Sequence, residues 1–493
     1  MLGTLQRFRN HLNNFALISA LPAEILLAIF QHCQQTGVGE TLTPTWSRVV
    51  QPVIDLTHVC RRWRQIALDH PSLWTTICAK DHNELWALPE ILRRSGDLPL
   101  DVSVEWRRHT SHRLRASTTV SLDQHIRHIR SFQLNIREEP LGDWKRALRS
   151  PAPLLQKFEL VRSAGLPETA VGGVTNYNLF GGHAPNLQKV HFENIPLDVL
   201  DSSVFRSVTE LAVLLYTVSP QDVRAILASC PLVQTLTLSG APSPSTLARV
   251  PQPRRGGLWP APNLITLSLS NIDPRATDLI LPHLPILQMK FVDISYSDDD
   301  IFSTFELLPA TTELLLKSES PPKHVMLQGK IFGYPPRVSW DVIVLDEENR
   351  TRAVAIPRLA RHSALLLAIT RTPTLSIPLD VWSPFVDTLP TDATLDIHKL
   401  ILTIESVKAA DHSALDGCRA VLMPGLRRIV IKSKTSQTLP RLPVLHLLNS
   451  IVQLRGLRHG RLKKVALKGV RPSDALEDLK AIAQQIDIQE QVD

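Results

Sequence analysis

At 493 residues, 43% apolar and 20% charged, the chain exceeds what a single hydrophobic core serves and has the composition of an ordinary folded protein. Its 37 prolines against 20 glycines suit short elements that stop abruptly, more than the glycine-rich loops of a nucleotide-dependent enzyme. The formal net charge of +7 is unevenly placed: thirteen Lys or Arg and no acid lie between Arg419 and Arg471, and beyond Pro472 the sign reverses. A local basic block of this kind argues for nucleic acid far less than a basic domain would, so nucleic acid is not an expected partner. Five scattered cysteines (Cys33, Cys60, Cys78, Cys230, Cys418) form no C-x-x-C pair, so they read as reduced thiols of the cytoplasm or nucleus. No apolar run approaches the roughly 18 residues of a membrane span, and no membrane partner is expected.

Residues 1–17 read as a tail; Arg7 and Arg9 without acids resemble a weak presequence, but the apolar pattern runs on past Pro22 into a folded helix. In Leu21-Pro22-Ala23-Glu24-Ile25-Leu26, proline fits a helix start, and Ile25, Leu26, Ile29, Phe30 and Cys33 follow at helical spacing. A polar stretch with Gly37 and Gly39 interrupts. A second helical pattern then runs from Val49 through Val59, Cys60 and Trp63 to Ala67 and stops before Pro71. From about residue 150, short L-x-x-L-x-L strands recur, as at Leu155/Phe158/Leu160, Leu187/Val190/Phe192, Val208/Leu211/Val213, Val233/Leu236/Leu238 and Leu264/Leu267/Leu269. Later strands centre on Leu400, Ile429 and Val465. Between about 320 and 390 the phase is lost, although Arg337 to Leu345 alternates as a strand. Near the end, Asp474-x-x-Glu477 has the form of a capping box, with Leu476, Leu479, Ala483 and Ile486 on one helical face.

Leu21 to Leu26 together with Val59-Cys60-Arg61-Arg62-Trp63-Arg64-Gln65-Ile66-Ala67 resemble the F-box, and Asp69 to Trp74 and Leu92 to Leu100 are similar to extensions seen in fungal F-box proteins. The recurring strands resemble leucine-rich repeats. The expected fold is therefore a small helical F-box followed by an irregular α/β leucine-rich-repeat solenoid with parallel strands. Its expected parts are the F-box at 18–75, a mixed helix and strand transition at 76–150, repeats at 151–470 with an irregular insertion at about 320–390, and a capping helix at 471–493.

The resemblance implies a non-catalytic subunit of a cullin-based ubiquitin ligase that docks on the Skp adaptor and holds a protein substrate on its repeats. Adaptor-binding candidates are Leu21, Pro22, Ile25, Leu26, Ile29, Phe30, Val59, Cys60 and Trp63, the last equally well read as internal core. Alternate positions of the repeat strands would line a recognition face. They place Arg428, Lys432, Lys464 and Lys468 there, suited to an acidic or phosphorylated ligand, and Thr235, Thr237, Thr266 and Ser268 elsewhere on it. His109/His112 and His125/His128 have H-x-x-H spacing without accompanying Cys or carboxylates, so no metal or other cofactor is expected. None of G-x-x-x-x-G-K-[ST], H-E-x-x-H or G-x-S-x-G occurs. Two other readings remain at this point: a non-degradative scaffold, or a basic repeat protein binding RNA or phosphoinositide through 419–471.

Overall fold

The computed structural model describes residues 17–489 apart from 37–50, 81, 107–109, 137–146, 163–177, 196–202, 216–217, 241–257, 296–310, 312–321, 333–336, 357–358, 360–365, 367–368, 406–418, 435–441, 454–456 and 458–459. The expected tail, the polar insert after the first helix, His109 and Cys418 thus lie outside the described residues, Leu17 excepted. The chain divides into two compact units, one of residues 1–216 and 224–235, the other of 217–223 and 236–493.

The first unit opens with helices α1 (Ala23–Thr36), α2 (Gln51–Val59) and α3 (Arg61–Asp69). The single helix expected from Val49 to Ala67 is in fact two. Cys60 sits between them in an extended conformation (φ −156°, ψ 170°) and caps α3, its Sγ accepting from the Trp63 N–H. Beyond them come β1 (Thr76–Ala79), α4 (His82–Arg94), β2 (Leu100–Trp106), α5 (His112–His125), β3 (Ile129–Ile136), β4 (Lys157–Arg162), β5 (Lys189–Glu193) and β6 (Glu210–Leu215). Each strand pairs in parallel with the next, from β1 to β6. The stack therefore begins at residue 76, not 151, which corrects the expected transition segment. Trp74/Ile77/Ala79 and Ile129/Phe132/Leu134 already occupy the L-x-x-L-x-L slots and are buried. Phe132, Phe158 and Phe192 stand on neighbouring strands with ring centroids about 6 Å apart, and Phe180 and Phe205 close on them edge-on.

The second unit contains most of β7 (Thr235–Gly240), then β8 (Thr266–Ser270) and β9 (Phe291–Ser295). After them come β10 (Pro322–Phe332), β11 (Arg337–Asp346), β12 (Thr351–Ile356), β13 (Thr374–Pro378), β14 (Lys399–Ile404), β15 (Arg428–Ser433) and β16 (Leu462–Lys468). Strands β8 and β9 pair in parallel, as do β13, β14, β15 and β16 in sequence. The expected insertion is an antiparallel meander, β10–β11–β12, set between these runs in reverse order: β12 lies parallel beside β9, and β10 parallel beside β13. Arginines fasten it. Arg350 donates to the Leu287 carbonyl at 2.7 Å and Arg352, almost fully buried, to that of Ile286 at 2.9 Å. The buried Asp346 carboxylate holds the β11–β12 turn by accepting from the Arg350 backbone and side chain.

The expected capping helix from 471 to 493 is also corrected. Among its described residues only Leu476–Ile482 is helical; its N-cap is Ala475 with no side-chain cap, and Asp474 instead accepts from the Leu445 N–H. The chain then forms β17 (Ala483–Gln489), parallel to β16. An unpaired strand edge offers backbone hydrogen bonds that outweigh a weak helical preference in Ala-Gln-Gln-Ile-Asp-Ile. The middle strands behave as expected, with Leu264, Leu267 and Leu269 buried and Thr266, Ser268 and Ser270 half-buried on the other face. Two left-handed asparagines, Asn194 (φ 55°) and Asn271 (φ 54°), end β5 and β8.

A Cβ on Gly240 would press into the Asn271 carbonyl oxygen, so only glycine fits where β7 passes that turn. Gly240→Ala is expected to cost about 1–3 kcal/mol in urea unfolding of the second unit, because the clash is with backbone that cannot swing away; an unchanged midpoint would refute that close approach.

In the first unit, His125 Nδ1 and His128 Nε2 lie 2.9 Å apart and share a hydrogen bond. Burial, then the neighbouring His128 and Arg127, hold His125 below the ordinary imidazole value; burial does the same to His128, partly opposed by Asp97. The folded state thus takes up fewer protons than the unfolded chain. The stability contributed by this pair is present above the ordinary histidine value, about 6.5, and is lost as pH falls below it. Chemical denaturation between about pH 7 and pH 5 should show a falling midpoint, and His125→Gln should flatten that slope.

Candidate functional site

The helical module packs around Leu26, Phe30, Val53, Ile66, Ala67, Leu73 and Trp74, all buried. Phe30 and Trp63 meet at 5.0 Å between ring centroids, with Trp63 half-buried at the rim of this core. The Trp74 indole donates to the Ala67 carbonyl at 2.8 Å, and the Arg94 guanidinium stands 4.9 Å above its ring, tying the module to α4.

Two arginines cross-link the helices. Arg62 Nη2 donates to the Leu21 carbonyl at 2.5 Å, and Arg64 Nε to the Thr57 carbonyl at 2.8 Å. Cations in the first turn of α3 oppose its dipole, and these two are held there by carbonyls of the preceding segments. Sequence reasoning missed both roles; three arginines crowded into a helix start were the available signal.

The structure separates the adaptor-binding candidates into three sets. Leu26 and Phe30, both 0% exposed, point into the core and have no surface to offer a partner. That corrects their place among the contact residues: buried side chains at i and i+4 hold the module together. Pro22, Ile25 and Val59 are exposed, Ile25 by 48% and Val59 by 54%. Leu21, Ile29, Cys60 and Trp63 are half-buried. Leu21, Ile25 and Ile29 recur every fourth residue and form a second stripe beside the buried one. Leu17 and Ile18, just ahead of α1, are exposed as well and were not among the candidates. Apolar side chains left in water in a module this small mark a surface that another molecule covers.

What the described residues of the module offer a partner is shape and apolar area. Elsewhere, burial pushes the Cys78 thiol up to about 11 and the Cys230 thiol up to about 12, so both stay protonated. Among the described residues no group of three or more His, Cys, Asp or Glu could hold a metal, and no helix is long and apolar enough to cross a membrane.

Residues 18–80 match the family described as F-box-like. The chain carries an F-box-like domain. The matched span takes in all three helices, the Pro71–Trp74 turn and β1, so it ends just past the first strand of the stack and not at residue 75. F-box domains bind the Skp adaptor of cullin-based ubiquitin ligases, and the exposed stripe of α1 lies within the matched segment. No curated protein matches the chain.

The remaining candidates all lie in the stacked sheet. Thr235, Thr237, Thr266 and Ser268 are half-buried on β7 and β8, where the hydroxyls of Ser239 and Ser270 sit 2.6 Å apart. Arg428, Lys432, Lys464 and Lys468 occupy β15 and β16 in direct register, Arg428 beside Lys464 and Lys432 beside Lys468. The core of the module generates a test. Leu26→Ala should destabilise the F-box-like domain by about 2–5 kcal/mol, whereas Ile25→Ala should cost under about 0.5 kcal/mol. Thermal denaturation followed by Trp63 and Trp74 fluorescence measures both, and equal losses would contradict the two-stripe arrangement.

Proposed function

We propose that this chain is the substrate-recognition subunit of a Skp–cullin ubiquitin ligase complex, docking on the adaptor through its F-box-like domain and holding a protein substrate on the stacked sheet. The observation that carries this reading is the pairing of the family match over 18–80 with an unpartnered apolar surface inside that span, at Pro22, Ile25 and Val59. In this reading the chain performs no chemistry. It raises the effective concentration of a bound substrate beside a catalytic partner, so that degradation follows from proximity. The sheet region is read as an irregular leucine-rich-repeat solenoid: outside the β10–β12 meander its paired strands run parallel and alternate core and surface residues, and β5 and β8 end in turns that Asn194 and Asn271 make in the left-handed conformation. A fungal origin fits the resemblance of 69–74 and 92–100, and a ligase subunit of this type works in the cytoplasm or nucleus.

The test uses charges placed where no core is disturbed. Ile25→Asp combined with Val59→Asp should leave the circular dichroism spectrum and melting temperature near native, yet reduce co-purification of the Skp adaptor on the order of a hundredfold, as expected when central apolar anchors are lost. A folded double variant that retains adaptor at the native level would overturn the reading.

A further inference from the structure

Strand register in the second unit arranges charge in a pattern that the sequence alone does not display. On the face opposite the core, Lys399, Arg428 and Lys464 lie side by side across β14, β15 and β16. Two residues further along the same strands lie Ile401, Val430 and Ala466, and two further again Thr403, Lys432 and Lys468. Two cationic rows therefore flank an apolar row. Ile401 and Ala466 are nearly covered and Val430 is half-buried, whereas Arg428 and Lys468 stand exposed at the rims.

These cations are mostly uncompensated. Lys464 pairs with Asp487 of β17 at 2.8 Å, an acid from beyond the basic block. Arg428, Lys432 and Lys468 make no ion pair among the described residues. Burial first, then Lys434, Lys399 and Lys468, push the Lys432 ammonium below its ordinary value, and burial first, then Lys399 and Lys432, depress His324 on β10. The equivalent face of the first unit is different, because it neutralises itself: Lys157 pairs with Glu159 at 2.6 Å, Lys189 with Glu210 at 2.8 Å and Arg130 with Asp101 at 2.6 Å. A cluster that repels itself over an apolar floor is stabilised by an anion from outside the unit.

Spacing selects the anion. The two cationic rows are four residues apart along the strands, about 13 Å. In an extended polypeptide, residues i and i+4 are the same distance apart and, with i+2, project from one side. We propose that the face formed by β14, β15 and β16 binds an extended peptide segment of the form anion-x-apolar-x-anion, the anions being phosphorylated or carboxylate side chains. The two anions meet the cationic rows and the residue between them meets Val430. Arg428 can grip phosphate with two hydrogen bonds at once.

A nucleic acid fits less well. The outward positions of β13 to β17 carry no aromatic ring on which a base could stack, and further along the same face Asp293 and Asp341 repel a long polyanion. This inference supplies a ligand class for the substrate-receptor reading and rests on it for its biological meaning, but its test is independent of the adaptor.

Full-length chain is titrated with fluorescent peptides carrying two phosphoserines around a valine, spaced i and i+4 in one peptide and i and i+3 in another. An unphosphorylated peptide, an oligouridylate and phosphoinositide vesicles complete the set, and adaptor capture is measured on the same preparation. The i, i+4 peptide should bind tightest, with an affinity that falls as salt rises. Arg428→Gln with Lys432→Gln should weaken it on the order of tenfold, and Asp487→Asn, which releases Lys464, should strengthen it. Equal binding of both phosphopeptides, indifference to both sets of substitutions, or tighter capture of the oligonucleotide or vesicles would overturn the inference. Intact adaptor capture in that event leaves the ligase reading standing; loss of adaptor capture with peptide binding retained sinks only the latter.

Discussion

The stacked part of each unit depends on parallel strands that lie in register with one face dry. A strand in which every second residue is apolar cannot bury that row alone; it needs a neighbour on each side whose dry row lies at the same height. Phe132, Phe158 and Val190 meet in this way in the first unit, and Leu400, Ile429 and Val465 in the second. Once the dry rows are aligned, the wet rows are aligned too, with no further energy needed to order them. Functional groups on such a face come as ladders and not as isolated residues, and a ladder of like charge accumulates repulsion that the fold itself does not relieve.

The F-box-like domain obeys the opposite rule. Three short helices have too little interior to hide their apolar residues, so Leu26 and Phe30 go inside and Ile25 and Val59 stay out. Stability and docking are thereby assigned to adjacent stripes of one helix, which lets either be altered while the other persists. The cross-links from Arg62 to Leu21 and from Arg64 to Thr57 supply fixity that so small a core lacks.

Much of this was legible in the residues. Leu21 to Phe30 announced the helix, and the L-x-x-L-x-L slots located most strands because their burial demands a period of two. The stack's earliest strands, β1 to β3, are harder to read, because slots such as Trp74/Ile77/Ala79 and Ile129/Phe132/Leu134 sit among helical segments. β17 was hidden because Leu479, Ala483 and Ile486 satisfy helical spacing as well as they satisfy a strand's needs. The order of β10 to β12 has no signature in local sequence at all, since it is set by which edges remain unpaired after neighbouring strands have formed. The division of the docking helix into Leu26 and Ile25 is likewise tertiary: periodicity marks an apolar helix but does not say which of two adjoining stripes meets the rest of the module.

The meander has a consequence for how the second unit is assembled in time. In a simple stack each new strand adds to the one just made, so a nascent chain could order itself from one end. Here β10 emerges before the strand that will separate it from β9, and it must wait for β11 and β12 to fold back and fill the gap. Strands β13 to β17 then grow from β10, not from the last strand laid down. The three-strand insert is thus the bridge through which the strands carrying Arg428 and Lys432 join β9 in one sheet, and its loss would leave two separate strand edges.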